Sequence, residues 1–187
     1  MGRWEPDAQG RLVRAALELY AERGFEQTTV QDIAARAGVT ERTFFRYFAD
    51  KREVLFDSSH QLERRAASAA SAAPAGAGAL EVAGGAMVAA AQMFDDRRDH
   101  ARTRAGVVAS TPSLQERELL KMAGLGDELA AALRQRGVGE PGATLAARSA
   151  VAAFQVAFAS WVGDDDPSAL GDRVAGALVA LRDVAAG

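Results

Sequence analysis

Residues 24–51 read GFEQTTVQDIAARAGVTERTFFRYFADK, and this stretch decides the fold. It contains two short helices with separate start signals. Thr29 supplies a hydroxyl cap, Val30 opens the first turn, and Asp32 at the third position complements the free amides and the positive helix end. Ile33, Ala34 and Ala37 form the buried side. Gly38 stops this helix after about two turns, because glycine takes the left-handed conformation without steric cost. Val39 bridges, Thr40 is the next cap, and Glu41 to Tyr47 is the following helix. Phe44 and Phe48 are its core anchors. Two short helices about Gly38-Val39 make a helix-turn-helix pattern. The tight turn lets the second helix protrude, and a helix of that kind fits a DNA major groove with its N-terminal residues at the base edges.

Outward from this segment, helical signals continue and strand signals are nearly absent. A first helix from Asp7 to Arg23 places Val13, Ala16, Leu17 and Tyr20 on one face. Gly24 ends it, and Phe25 folds back as a hydrophobic contact. Asp50 is read as capping a fourth helix from Lys51, with Val54, Leu55 and Leu62 as apolar positions. Pro74 to Gly78 is a break. Further helices are expected at 79–94, 97–109 and 112–136, where Gly124 and Gly126 are points of bending or splitting. Residues 137–142 form a loop, and two last helices span 143–162 and 167–186. Thr111-Pro112 and Asp166-Pro167 both read as a capping residue followed by proline at the first position. The expectation is an all-α fold of about nine helices. A helix-turn-helix domain covers 1–52, and a second helical domain covers 53–187.

The chain has 187 residues, 49% hydrophobic and 25% charged, enough for a real core and too apolar for intrinsic disorder. It has no cysteine, which excludes disulfides, thiolate metal sites and a cysteine nucleophile. Met1 to Asp7 do not show the basic-then-apolar pattern of a signal peptide, and the longest apolar runs, rich in Ala and Gly, are broken by Gln, Arg or Asp. No membrane association is expected, and the cytoplasm is the expected compartment. Net charge is −3, yet residues 1–65 hold 11 Lys+Arg against 11 Asp+Glu, so the acidic excess lies in the remainder. Between Arg36 and Arg52 five cations (Arg36, Arg42, Arg46, Lys51, Arg52) face two anions (Glu41, Asp50). A local cationic excess of this kind, not the total, bears on nucleic-acid binding.

The residues of the opening stretch, from Gly24-Phe25 through Thr29-Val30-Gln31-Asp32-Ile33-Ala34, Ala37-Gly38-Val39-Thr40 and Thr43-Phe44-Phe45-Arg46-Tyr47-Phe48 to Lys51, resemble the N-terminal domain of TetR-family transcriptional regulators. The resemblance covers about the first 55 residues. It implies that Thr29 and Val30 lie at the DNA backbone, that Thr40 caps the recognition helix, and that Glu41, Arg42 and Thr43 face the bases; Gln31 is read as meeting the backbone or nothing. It also implies phosphate contacts for Tyr47 and Lys51. Phe45 departs from the family pattern, where tyrosine is common; it is read as packing or as contact with a thymine methyl, and Arg46 as replacing the lost polar contact. The plain alternatives are a solvated Arg42 or Lys51 and a Glu41 that serves only its helix end.

No catalytic constellation emerges. Residues 137–142 match G-x-G-x-x-G, but they follow a charged helix and not the strand a dinucleotide site requires. Asp164 to Asp166 read as a solvated helix start, and Asp95, Asp96, Asp99 and His100, among Arg97, Arg98 and Arg102, read as ion-pair partners. No metal site, no cofactor and no enzyme activity are expected. The helix from Ala143 carries Val151, Phe154, Phe158 and Trp161 on one stripe, and the last helix carries Leu170, Val174, Leu178 and Leu181. Two helices this apolar need more cover than a small domain offers, and the resemblance implies that they pair with their copies in a homodimer reading a palindromic double-stranded operator. The resemblance also implies a small, largely apolar effector, for which Met87, Met93, Phe94, Val107, Leu120, Phe154, Phe158 and Trp161 are candidates, with Ala and Gly between them leaving room; core filling is the alternative. Arg102 and Arg104 are candidates for an acidic group on it. The reading is therefore a one-component DNA-binding regulator, a repressor released by its effector. The alternatives are a constitutive DNA-binding regulator, or an all-helical enzyme or carrier with a vestigial DNA-binding motif.

Overall fold

The computed structural model describes residues 7–187. Among the described residues there are nine α-helices and no strand: α1 (Ala8–Arg23), α2 (Val30–Arg36), α3 (Glu41–Tyr47), α4 (Asp57–Ala72), α5 (Ala79–Ala91), α6 (Arg98–Ala109), α7 (Pro112–Gln135), α8 (Gly142–Gly163) and α9 (Leu170–Ala186). The all-α expectation holds. Met1 to Pro6, most of the stretch inspected for a leader pattern, lie outside the described residues.

Two compact units form. One joins the residues up to Ser58 with Thr103–Glu116; the other joins Ser59–Arg102 with Arg117–Gly187. A linear cut between residues 52 and 53 does not describe this packing. The C-terminal half of α6 and the start of α7 belong with the N-terminal helices because Val107, Val108 and Leu114 are buried in the same core as Leu12, Phe44 and Phe48. Arg104 lies over the Phe56 ring, 4.9 Å from its centroid, and its Nε donates to the Leu55 carbonyl at 2.7 Å. Periodicity shows which face of a helix is apolar, not which core receives it.

The N-terminal core centres on α1, whose buried residues are Leu12, Ala15, Ala16, Leu17, Leu19 and Tyr20; Val13, expected there, is only half-buried. Phe25 folds back onto Tyr20 with ring centroids 5.2 Å apart. The fourth helix starts later than expected. Asp50 caps the amides of Arg52 and Glu53, but Glu53–Phe56 is a 3₁₀ turn and α4 begins at Asp57. Val54, Leu55 and Phe56 are all buried. Three consecutive side chains cannot share one face of a helix, so this short turn is enclosed by the core on more than one side.

Both reading-head caps form as the sequence requires. At α2 the Thr29 hydroxyl accepts from the Asp32 amide, and the Asp32 carboxylate accepts from the Thr29 amide at 3.0 Å and the Thr29 hydroxyl at 2.6 Å. Arg23 adds an ion pair at 2.7 Å. The Thr29 hydrogen bonds, with Arg23 after them, hold the Asp32 carboxyl down to about 2. Gly38 sits at φ +69° in the turn, where its amide donates to the Ala35 carbonyl and the Val39 amide to the Ala34 carbonyl.

In the C-terminal unit α8 packs against α5 and α9. Alanines 143, 146, 147, 150, 153 and 157 are all buried along α8 and permit close approach. The glycines of α5 were read as room for a ligand; at Gly84 that room is filled, because a Cβ there would stand 2.8 Å from Leu178 Cδ1 of α9. Gly124 and Gly126 neither bend α7 into two helices nor end it, since α7 runs unbroken from Pro112 to Gln135. The last helix begins at Leu170, not at Pro167. Contrary to the reading of its apolar runs, α8 is long and apolar enough to cross a membrane by length and composition. Its apolar residues instead serve the core: Val151, Phe154 and Trp161 are buried with the alanines.

The end of α8 is closed by arginines. Arg98 Nε donates to the Trp161 carbonyl and Arg102 Nε to the Val162 carbonyl, each at 2.9 Å. Arg173 forks onto the Asp164 carboxylate with two bonds of 2.7 Å, and Arg98 also reaches the Asp166 carbonyl. The Arg173 fork holds the Asp164 carboxyl far below the usual range. Asp164 to Asp166 are thus ion-paired and not merely solvated, and they take Arg98 and Arg102.

Two predictions follow from the caps and the turn. Gly38→Ala meets no steric obstacle but must hold a left-handed backbone, so urea unfolding should show a loss of ~1–2 kcal/mol. Asp32 has a folded-state pKa below its unfolded one. Its contribution to stability is therefore complete above the unfolded value near 3.8 and fades as pH falls toward about 2. Asp32→Asn should remove that part of the acid sensitivity, read as a smaller drop in urea midpoint between neutral pH and pH 3 relative to the wild type.

Candidate functional site

The N-terminal unit presents one protruding helix. Thr40 caps α3, its hydroxyl accepting from the Thr43 amide at 3.2 Å and lying 3.1 Å from the Thr43 hydroxyl. Phe44 is fully buried and touches Phe48, with centroids 5.6 Å apart. With Phe44 pointing inward, Glu41, Arg42, Phe45, Arg46 and Tyr47 are exposed and Thr43 is half-buried. Phe45 leaves 55% of its surface open and Tyr47 39%, although both are large aromatics. Arg46 lies over the Tyr47 ring at 4.9 Å from its centroid, and its Nη2 donates to the Tyr47 hydroxyl at 3.1 Å. At the start of α2, Thr29 and Gln31 are exposed and Val30 is half-buried.

Ion pairing reduces the cationic excess read from the sequence. Arg36 bonds Glu22 twice at 3.0 Å and reaches Glu18 at 3.4 Å, both carboxylates outside the counted stretch. Arg52 pairs with Asp50 at 2.6 Å. Arg42 and Arg46 have no carboxylate partner among the described residues. The free cations of the segment are therefore on the reading helix itself.

Lys51 takes a different position from the one expected. Its Nζ donates to the Phe25 carbonyl at 2.9 Å and the Thr28 carbonyl at 3.0 Å, and stands 4.3 Å from the Phe25 ring centroid. The Tyr20 hydroxyl donates back to the Lys51 carbonyl at 2.6 Å, and burial, with the Asp50 charge second, pushes that hydroxyl well above its ordinary range. Lys51 and Tyr20 thus tie the Phe25–Thr28 turn, which leads into the α2 cap, to the residues after α3. Thr28, fully buried, closes the same turn through its hydroxyl to the Gly24 carbonyl at 2.9 Å. Arg11 Nε holds the Ala37 carbonyl at the end of α2. Sequence reading missed Thr28 and Arg11; a lone polar residue on a helix face or before a cap carries no signal of its long-range acceptor.

The effector candidates divide. Phe94, Phe154, Phe158 and Trp161 come together, with centroids 5.7 to 6.4 Å apart among neighbouring pairs around Phe94, and Met87 and Met93 lie in the same core. Val107 does not join them, since it belongs to the N-terminal core. Leu120 is 58% exposed. It lies roughly 140° around α7 from the buried Leu125, so it cannot share that residue's face. Arg102 and Arg104 are both engaged within the protein and do not wait for an acidic ligand group.

Comparison with known proteins agrees with this geometry. Residues 12–57 match the family described as bacterial regulatory proteins, tetR family, and residues 78–186 match the MftR C-terminal domain. The HTH-type transcriptional regulator TcmR of Streptomyces glaucescens is 41% identical over 76 residues, which is 41% of this chain and 34% of that protein. The matched part of the chain thus spans about a third of that relative's length. FadR from Bacillus subtilis, solved in complex with stearoyl-CoA, is 22% identical with a TM-score of 0.64, over 92% of this chain and 96% of that one. FadR from Thermus thermophilus, a TetR family repressor solved with lauroyl-CoA, is 23% identical with a TM-score of 0.55, over 93% of each chain. These two likenesses concern the fold. With its reading head matched by one profile and more than half of its length by another, the chain belongs to the TetR family of bacterial regulatory proteins and carries a C-terminal domain of the MftR type.

Proposed function

We propose that this chain is a homodimeric one-component transcriptional repressor of the bacterial cytoplasm, released from a palindromic operator by a largely apolar effector. The observation that carries the DNA-binding reading is α3: a helix anchored by the buried Phe44 that exposes Arg42, Phe45, Arg46 and Tyr47 together. A cluster of exposed large aromatics beside guanidiniums that have no carboxylate partner among the described residues marks an interaction surface. In this reading Arg42 contacts a guanine edge, Glu41 and Thr43 face neighbouring bases, and Phe45 meets a thymine methyl. Arg46 and Tyr47, already joined, reach phosphates, as do Thr29, Val30 and Gln31 at the start of α2. Lys51 acts by holding the turn before α2 through two carbonyl bonds, and a phosphate contact would fall to its third N–H, which has only the Glu26 carbonyl at 3.5 Å.

Dimerisation rests on the outer face of the last two helices. The stripe of Val151, Phe154 and Trp161 is consumed by the chain's own core. Leu145 and Val156, eleven residues apart and so on one face of α8, and Val179 of α9 remain exposed, at 63%, 67% and 55%. A second copy covering these faces supplies the two-fold axis that a palindromic site needs. For the effector, the two FadR structures hold acyl-CoA thioesters, and by analogy we take that class as the candidate. It suits the apolar C-terminal unit around Phe94, Phe154 and Phe158. The effector acts only through a difference in affinity between the DNA-competent and released arrangements of the dimer.

Two measurements test these assignments. Arg42→Ala should weaken specific operator binding by ~1–3 kcal/mol and relax preference at one base pair, read by titration against a panel of single-base operator variants; equal weakening on every sequence would remove Arg42 from base reading. Val156→Glu with Val179→Glu should convert a sedimenting dimer to a monomer while leaving helical content unchanged, because both positions are open in the single chain. A dimer that persists would place the interface elsewhere.

A further inference from the structure

The C-terminal unit contains a groove along the outer face of α4 that none of the assignments above uses. It has a volume of about 510 Å³ and is lined by Gln61, Arg64, Arg65 and Ser68, with a floor of alanine methyls at Ala69, Ala72 and Ala89. The groove is shallow and open to solvent. Spacing explains the lining: 61, 64/65, 68 and 72 fall on one face of α4, while Leu62, Ala66 and Ala70 on the other face enter the core.

The charge state of this groove favours an anion. Several arginines of the unit are neutralised by carboxylates, and Arg97 and Arg182, which also have no carboxylate partner among the described residues, do not line this groove. Arg173 and Arg98 are held by Asp164, Arg134 by Glu140, and Arg148, in a smaller groove on α7 and α8, by Asp127 at 3.5 Å. Arg64 and Arg65 have no carboxylate or hydrogen-bond partner among the described residues. The nearby Glu63 is taken by His60 at 3.2 Å. Gln61 and Ser68 also carry no internal side-chain hydrogen bond among the described residues. Two adjacent guanidiniums, an amide and a hydroxyl along one wall offer forked donors to tetrahedral phosphate oxygens, and the methyl floor offers a flat apolar surface to a ring.

From this we propose that the α4 groove is an anion subsite for a phosphate-bearing headgroup of the nucleotide type, with Arg64 and Arg65 as its phosphate ligands. The proposal deepens the effector reading, and rests on it in taking the headgroup to be the phosphorylated part of an acyl-CoA. The apolar tail then belongs to the apolar core of the same unit. The groove confers selectivity between the thioester and the free fatty acid, which has no phosphate to engage it.

The test is calorimetric titration of the full chain, wild type and Arg64→Gln/Arg65→Gln, with four probes: lauroyl-CoA, coenzyme A, laurate and inorganic phosphate. The wild type should bind lauroyl-CoA and coenzyme A with affinities that fall as salt rises, and the double variant should lose roughly tenfold per guanidinium on both. Laurate binding and ligand-free operator affinity should not change. Arg64→Lys/Arg65→Lys should restore part of the loss, and an unchanged thermal midpoint excludes misfolding. If lauroyl-CoA binds the double variant as tightly as the wild type, or coenzyme A does not bind the wild type, the subsite is wrong while the effector reading stands or falls separately on operator release. If coenzyme A binds in an arginine-dependent way and lauroyl-CoA leaves the operator complex intact, the subsite stands and the effector reading fails. Phosphate binding as tightly as coenzyme A would also overturn the nucleotide-type assignment, leaving a free-phosphate site.

Discussion

A seven-residue helix has no stability of its own in water, where isolated helices shorter than ~12–15 residues are marginal. Both α2 and α3 are of that length. The reading head therefore depends on burial of Phe44. That side chain is fully enclosed beside Phe48, in one core with Leu12, Ile33 and Val54. Burying a phenylalanine contributes roughly 1.5–3 kcal/mol, more than a two-turn helix can obtain from propensity. The direction of Phe44 into the core also dictates which residues point out. Arg42, Phe45 and Arg46 are exposed because the residue between them is not.

Around this anchor, polar groups are spent on shape. Lys51 binds carbonyls of the Phe25–Thr28 turn, Arg11 the end of α2, and Arg36 two glutamates of α1. Each of these cations was available by composition for a polyanion, and each is used to hold a backbone segment or a neighbouring helix. What remains for a partner is small and local, chiefly Arg42 and Arg46. This is why a net charge of −3 is compatible with a nucleic-acid interface.

The parts of this structure that were legible in the sequence are the locally determined ones. Thr29, Asp32, Gly38 and Thr40 act on neighbours within a few residues, and their roles were readable from spacing alone. Long-range choices were not. Nothing in the alternation of Arg98–Ala109 says that its second half joins the N-terminal core, so Val107 was assigned to the wrong unit. The exposure of Leu120 and the filling of Gly84 by Leu178 depend on which helix arrives opposite. Likewise Asp164 to Asp166 looked like an ordinary solvated start, because their partners lie on α6 and α9. For α8, the conspicuous aromatic stripe is the core face, and the face left open is the less conspicuous one carrying Leu145 and Val156.

The account rests on α3 lying in a DNA groove, in two copies related by a two-fold axis. Hydroxyl-radical and major-groove methylation footprinting of the full chain on DNA upstream of its own gene tests this most directly. The expected result is two symmetric protected segments, with guanine N7 shielded in each and centres separated by ~34–36 Å or a multiple of it along the duplex. A single protected segment, or protection of the backbone with every guanine N7 left reactive, would contradict it.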